Sequence, residues 1–482
     1  MQKRFLSSLL ISLFLNFLIK PISVLVIDAG VQRALGNVIY GKYFTLLSLT
    51  VIFNVFLDLG INNYTVRNIA QDESRITHHL NNIIGLRLLL FLCYSILICC
   101  FAYGFNLVNH YDTILMYLII NQFLVQSIAL LRSVISGQHR FYVDATLSVL
   151  DRALLIIMVG WAFIYQRNWI TIEYFVLVQT FSYAITLLCS ILSIKSPLFR
   201  PVLRINWKYV KEVLKHSLPF ALLILLMFIY NRSDVILIRM LSRQGDMEAG
   251  IYAQSFRLYD ALFMVGMIFT GLLFPMFSRM LHKKDPQIVE LITMSQKWLI
   301  GGVLAIVFVV NENATHLLSF LYGNHASPSS SIILKGLMIA YLAMSLNFIY
   351  GTLLTANGSL SLLIKISAYS VLISLLFNLF LIPQHGATGA VVTAIIVQLF
   401  VSTMLVYYAL RIIPITFRKN AFNPLILYSI YLLIAHFLFQ LISSSSFGII
   451  GSIITPIFGL FLFNVIDVKA IYSLYSRKET HQ

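Results

Sequence analysis

The chain has 482 residues, of which 59% are hydrophobic and only 11% charged. Soluble domains carry about 25% charged residues, so a soluble fold of this size is excluded, and disorder, which needs low hydrophobicity and high charge, is excluded with it. The long apolar runs argue against a β-barrel and leave an all-α polytopic membrane protein, in which the net charge of +16 must be tested as a topology signal before any nucleic-acid partner is considered.

About 20 apolar residues cross a bilayer as a helix. By that measure the chain contains about fourteen spans: 5–29, 43–66, 82–105, 113–136, 146–165, 171–194, 217–239, 258–278, 298–321, 332–355, 360–382, 387–410, 422–442 and 447–468. The first follows Met1-Gln2-Lys3-Arg4, has no convincing small-residue cleavage site after it, and reads as an uncleaved span kinked at Lys20-Pro21. An even count puts both termini on one side. Segments on that side, with Arg132, Arg152 and Lys365 near the span ends included, hold 24 of the 34 Lys and Arg residues; the opposite loops, with Arg239 and Arg257 at the span ends included, hold six. This bias makes the termini cytoplasmic. Four cations remain inside spans: Lys20, Arg87, Arg232 and Lys335. The longest connections expected are 195–216, 240–257 and 311–331, too short for a folded catalytic domain. Cys93, Cys99, Cys100 and Cys189 lie in apolar runs with no zinc or disulfide spacing. No nucleotide-binding, nucleophile or HExxH motif is present, so the expectation is a non-enzyme without a cofactor or metal.

Gly41-Lys42-Tyr43 recurs as Gly250-Ile251-Tyr252, an offset of 209 residues, each at the start of a span that follows a long one. Two parallel six-span halves are a known transporter design. The expected organisation is an N-terminal lobe at 1–195, a basic linker at 196–216, a C-terminal lobe at 217–410, and two added spans with a tail at 411–482.

A charge at the centre of a span costs at least ~2.5–3.5 kcal/mol on insertion scales, which makes each one a site candidate. Lys20 and Arg232 lie at similar depths in spans 1 and 7 and are expected to face each other as an anion site. Asn16 and Asn231 add polar groups beside them. Asp28, Asp58, Asp234 and Asp260 lie in or near spans 1, 2, 7 and 8 as charge-balancing or ion-coupling groups. The alternative is that these charges are internal ion pairs locking helices. Arg87, near the cytoplasmic end of span 3, fits snorkelling as well as function.

Several landmarks resemble one family. They are Leu35-Gly36 with Tyr40-Gly41-Lys42-Tyr43, then Asp58-Leu59-Gly60 and Arg67; Ser217-Leu218-Pro219-Phe220, then Tyr230-Asn231-Arg232-Ser233-Asp234; Gly250-Ile251-Tyr252; Pro275 with Ser278-Arg279; Leu321-Tyr322-Gly323; and Asn378 with Leu381-Ile382-Pro383, Gly386-Ala387-Thr388-Gly389-Ala390 and Thr393. In this order over about 5–410 the chain resembles the O-antigen and polysaccharide flippases of the multidrug/oligosaccharidyl-lipid/polysaccharide (MOP) superfamily. The resemblance implies two six-helix lobes plus two helices, alternating access between the lobes, and a location in the bacterial inner membrane. It implies as substrate an oligosaccharide on undecaprenyl pyrophosphate, moved from the cytoplasmic to the periplasmic leaflet. Coupling to an ion gradient, H+ or Na+, or to the membrane potential is expected with it, and a polysaccharide polymerase and chain-length regulator are the expected partners. Asp58, Arg67, Arg232 and Asp234 match the family pattern; Arg67 and Arg87 would form a cytoplasmic gate. The rival readings are a cation-driven multidrug antiporter of the same superfamily and a membrane-embedded polymerase or glycosyltransferase.

Overall fold

The computed structural model describes residues 16, 18–62, 65–66, 69, 76–108, 110–138, 140–194, 207–413, 423–441 and 446–465. Among them there is no strand. The helices are α1 (Ala29–Leu35), α2 (Asn37–Ile52), α3 (Val55–Asp58), α4 (Ile76–Gly104), α5 (Asp112–Gly137), α6 (Phe141–Tyr165), α7 (Ile172–Ser193), α8 (Trp207–Leu241), α9 (Gly245–Lys283), α10 (Ile288–Tyr322), α11 (Pro328–Ala356), α12 (Leu360–His385), α13 (Ala387–Ile412), α14 (Asn423–Leu441) and α15 (Ser446–Leu462). A π-helical stretch, Ser23–Asp28, leads into α1.

Hydrocarbon offers backbone amides no water to bond, so an apolar chain crossing it must satisfy them within itself, and the helix does this residue by residue. Among the described residues twelve helices are long and apolar enough to cross a membrane; Gly448–Leu462 is a shorter apolar helix. The chain is thus an all-α polytopic membrane protein, as the composition requires. The first expected span begins outside the described residues.

Two expectations need correction. The segments 240–257 and 311–331 are mostly helix: α9 begins at Gly245 and α10 runs to Tyr322. A hydrophobic ruler measures the bilayer crossing, whereas a helix continues past it as long as its backbone bonds do. Consequently Arg257, counted above with the loop charges, lies within α9, and Arg132 and Arg152 lie within α5 and α6. The expected span 43–66 is broken in its middle. α2 ends at a turn at Phe53–Asn54, and α3 ends one turn later at Leu59 and Gly60, with φ of 45° and 81°.

The chain forms two compact units. Unit 1 comprises 1–261, 321–327 and 360–390; unit 2 comprises 262–320, 328–359 and 391–482. In unit 1, α8 packs along α12 and α2, while α7 packs against α5 and α6. In unit 2, α10, α14 and α15 share a core built from Phe308, Leu425, Tyr428, Leu432 and Leu460. This partition groups α8 and the first part of α9 with the N-terminal helices.

Candidate functional site

The repeated Gly-x-Tyr segments meet. A Cβ on Gly41 would lie 2.0 Å from the Asp246 carbonyl oxygen, and one on Gly250 would lie 2.0 Å from the Asn37 carbonyl oxygen. Only glycine allows backbones this close. Polar bonds surround the contact. Gln32 Nε2 donates to the Gly250 carbonyl at 2.7 Å, Asn37 Nδ2 to the His325 carbonyl at 3.0 Å, Gln254 Nε2 to the same carbonyl at 2.9 Å, and the Tyr322 hydroxyl to the Gln254 carbonyl at 3.0 Å. The beginnings of α2 and α9 are therefore fastened together at the Lys/Arg-poor end of unit 1.

Deeper in unit 1 lies a row of alternating charges. Arg232 Nη2 donates to both carboxylate oxygens of Asp260 at 2.9 Å, and its guanidinium lies 5.4 Å from the centre of the Phe256 ring. One turn from Asp260, Arg257 pairs with Asp28 at 3.4 Å, donates from Nε to the Tyr40 hydroxyl at 3.1 Å, and lies 4.8 Å from the centre of the Phe44 ring. Asp260 and Arg152 both act electrostatically on Asp28. Arg152 is 3.3 Å from Asp151, and Arg132 Nε donates to Asp144 at 2.7 Å. Lys20 acts at this end of the row: Arg132, Arg152, Asp151 and Asp144 are its charged neighbours. Asn16, one helical turn before Lys20 and on the same face, donates to Ser148 Oγ on α6 at 2.9 Å. The row holds five cations (Lys20, Arg132, Arg152, Arg257, Arg232) and four carboxylates (Asp144, Asp151, Asp28, Asp260).

Lys20 and Arg232 therefore do not confront each other as a bare pair. Arg232 is neutralised by Asp260; Lys20 faces α5 and α6. Similar depth in spans 1 and 7 does not bring the two cations face to face, because each meets its own partners: Asp260, one of the expected charge-balancing groups, for Arg232, and the charged residues of α5 and α6 for Lys20. Asn231 Nδ2 donates to the Met227 carbonyl of its own helix at 2.8 Å.

A second cluster occupies the break between α2 and α4. Arg87, whose side chain is only 4% exposed, pairs with Asp58 at 3.2 Å and donates to Asn62 Oδ1 at 3.0 Å and to the Gln126 carbonyl. The network continues from Gln126 Nε2 to Asn54 Oδ1 and from Asn54 Nδ2 to Gln122 Oε1, both at 2.7 Å. Arg87 is thus buried and bonded, which settles the snorkelling alternative. Arg67, its expected companion, lies outside the described residues.

Asp234 differs from the other three expected carboxylates. Asp28, Asp58 and Asp260 each pair with an arginine. Asp234, 2% exposed, instead accepts from Asn378 Nδ2 at 2.8 Å and from the Tyr252 hydroxyl at 3.1 Å. The buried Asn378 Oδ1 has no hydrogen-bond partner among the described residues. Asp234 is thus a buried carboxylate met in these hydrogen bonds by neutral donors, without a cation among them. Asn378 and Tyr252 both belong to the landmark segments, but nothing in the sequence alone places them on one carboxylate.

The same architecture occurs in known transporters. The lipid II flippase MurJ, in an inward closed conformation, is similar over 96% of this chain and 99% of its own, with a TM-score of 0.71 and 14% identity. An outward-facing multidrug resistance MATE family transporter of the MOP superfamily gives 0.57 and 14%, over 85% of this chain and 95% of its own. The Vibrio cholerae MATE transporter VcmN gives 0.55 and 15% over the same shares. No curated protein matches the sequence. The family model described as polysaccharide biosynthesis protein matches residues 6–281, more than half of the chain. With this fold and this charged interior, the chain belongs to the polysaccharide biosynthesis protein family.

Proposed function

We infer that the chain is a flippase that carries an oligosaccharide on undecaprenyl pyrophosphate from the cytoplasmic to the periplasmic leaflet of the inner membrane, for O-antigen or another surface polysaccharide. The observation that carries this reading is the row of five cations and four carboxylates inside the helices of unit 1, with Lys20, Arg132 and Arg152 at one end of it. A pyrophosphate and its sugar cannot enter hydrocarbon unaided. A row with more cations than carboxylates receives an anion, and the carboxylates keep the attraction weak enough for release. Lys20, with Asn16 beside it, is the first contact; Arg232 hands the anion on by exchanging Asp260 for it. Asn231 lines the sugar path. Asp28, Asp58 and Asp260 balance charge, and Asp234 with Asn378 and Tyr252 binds the coupling ion, H+ or Na+. Arg87 and Arg67 hold the cytoplasmic gate, and alternating access of two lobes moves the substrate.

The multidrug antiporter reading is weaker. The MATE transporters match only about 85% of this chain while nearly the whole of themselves is used, a shortfall the size of the stretch from 411 onward. The flippase match includes nearly all of both chains. A polymerase would need a large loop with catalytic groups, and the connections among the described residues are short.

The test is Lys20→Ala and Arg152→Ala in the producing bacterium. Both are expected to lower surface polysaccharide severalfold at unchanged protein level, with lipid-linked units accumulating. Wild-type polysaccharide in both variants would overturn the reading.

A further inference from the structure

Unit 2 contains an ionisable site that the proposed transport path does not use. Span 9 carries Asn311-Glu312-Asn313 inside an otherwise apolar stretch. On α10 these residues lie about 15 Å before the helix ends at Tyr322. Glu312, with a side chain 12% exposed, bonds the Nδ1 of His436 on α14. The other ring nitrogen, Nε2, is 2.9 Å from Gln440 Nε2, one turn on and exposed at the end of α14. Asn313 Nδ2 donates to Ser452 Oγ on α15 at 2.7 Å. α10 and α14 thus hold the pair between them, and α15 meets α10 at the next residue.

The charge balance of this site is unusual. In the state where the imidazole is neutral with its proton on Nδ1, toward a Glu312 carboxylate, Nε2 is an acceptor that the Gln440 amide can meet. The site then has a net charge of −1 between apolar helices, where an uncompensated charge is costly. The groups around it do not cancel that charge. On α10, His316 is exposed one turn away, while Lys297 and Glu290 are about 22 Å or more along the helix. On α14, the hydroxyls of Tyr428 and Tyr431 donate to α15 carbonyls. α15 has no titratable residue. One added proton makes the site neutral overall, whether it rests on the carboxyl or on the ring. Gln440 serves both states, since its amide can present nitrogen to a neutral imidazole or, turned over, oxygen to an imidazolium.

We propose that Glu312 and His436 form a proton-binding site in the membrane, reached from the Lys/Arg-poor face through Gln440. The ligand is a single proton, and the site is separate from Asp234. Were the two residues to touch without sharing a proton, His436 would titrate alike with and without the Glu312 carboxylate, so the two cases can be told apart.

The experiment is magnetic resonance on the full chain in lipid vesicles, with isotope-labelled histidine and glutamate, followed from mildly alkaline to mildly acidic buffer. The Glu312 and His436 signals are identified by their loss in Glu312→Gln and His436→Asn. The expected result is a single coupled step, seen in the Glu312 carboxyl or the His436 ring nitrogens, and a displaced His436 midpoint in Glu312→Gln. If neither signal moves over that range, or if His436 titrates identically with and without the Glu312 carboxylate, the proposal is overturned. Should Glu312→Gln fail to accumulate, His436→Asn decides: an unaltered Glu312 signal across the range overturns the proposal, and a displaced midpoint supports it. The outcome does not depend on whether the chain moves a glycolipid.

Discussion

The two units join their helices by different chemistry. In unit 1 neutral links such as Asn54–Gln122 and Asn16–Ser148 stand beside charged ones, Asp28–Arg257, Asp58–Arg87, Arg132–Asp144, Arg232–Asp260 and Arg239–Asp246. In unit 2 the links are neutral. Asn347 donates to Gln398, Gln296 to Tyr350, Asn313 to Ser452, and Tyr341 to the Leu262 carbonyl; beside them stands the Glu312–His436 contact. Neutral amides and hydroxyls suffice to hold helices together in a membrane. Ion pairs add nothing to that task that apolar packing could not do as well, since desolvation consumes most of their attraction. What they add is an ability to exchange partners, which an anionic passenger requires. On the proposed function, the contrast puts the charges that would meet the glycolipid anion in unit 1.

Three measurements sharpen or break the contrast. The largest effect is expected in the charged row. Arg257→Ala leaves Asp28 buried without its cation and is expected to cost ~3–5 kcal/mol, read as a lowered unfolding midpoint in detergent. The double variant Asp28→Asn with Arg257→Gln is expected to regain most of that stability while surface polysaccharide stays low. Recovery of both would make the pair a mere lock. Next comes the glycine contact: Gly250→Val is expected to cost ~1–3 kcal/mol by overpacking, whereas Gly104→Val, with open space around it, should stay within ~0.5 kcal/mol. Equal effects would show that the close approach is unimportant. The smallest effect belongs to unit 2, where a double-mutant cycle on Asn347 and Gln398 is expected to give a coupling of ~0.6 kcal/mol. A coupling as large as that of an ion pair would erase the difference between the units.

The spans were legible because about 20 apolar residues in a row have few other uses, and the Gly-x-Tyr recurrence was legible because it is short and regular. The break at Asn54–Gly60 was hidden inside an unbroken apolar pattern; only Asp58-Leu59-Gly60 hinted at it. Arg257 was missed because a charge near the end of a hydrophobic stretch reads as a loop residue, while the real helix starts twelve residues earlier. The partners of Lys20, Arg232 and Asp234 come from helices distant in sequence, such as Asp260, Arg152 and Asn378, and pairing at that separation leaves no periodicity to read.

The mutual approach of Gly41 and Gly250 has one more consequence. Gly41 meets Asp246, and Gly250 meets Asn37; Asn37 and Asp246 stand at the same place in the repeat. The contact is therefore isologous, the form that a twofold dimer interface takes, yet here both partners belong to one chain. In a true homodimer any substitution strikes both sides together. Within one chain each side can differ, and here the partners do: the Asn37 side is held by Gln32 and the His325 carbonyl, the Asp246 side by Arg239 and Lys42. The joint thus keeps a symmetric backbone contact while its polar partners differ from one side to the other.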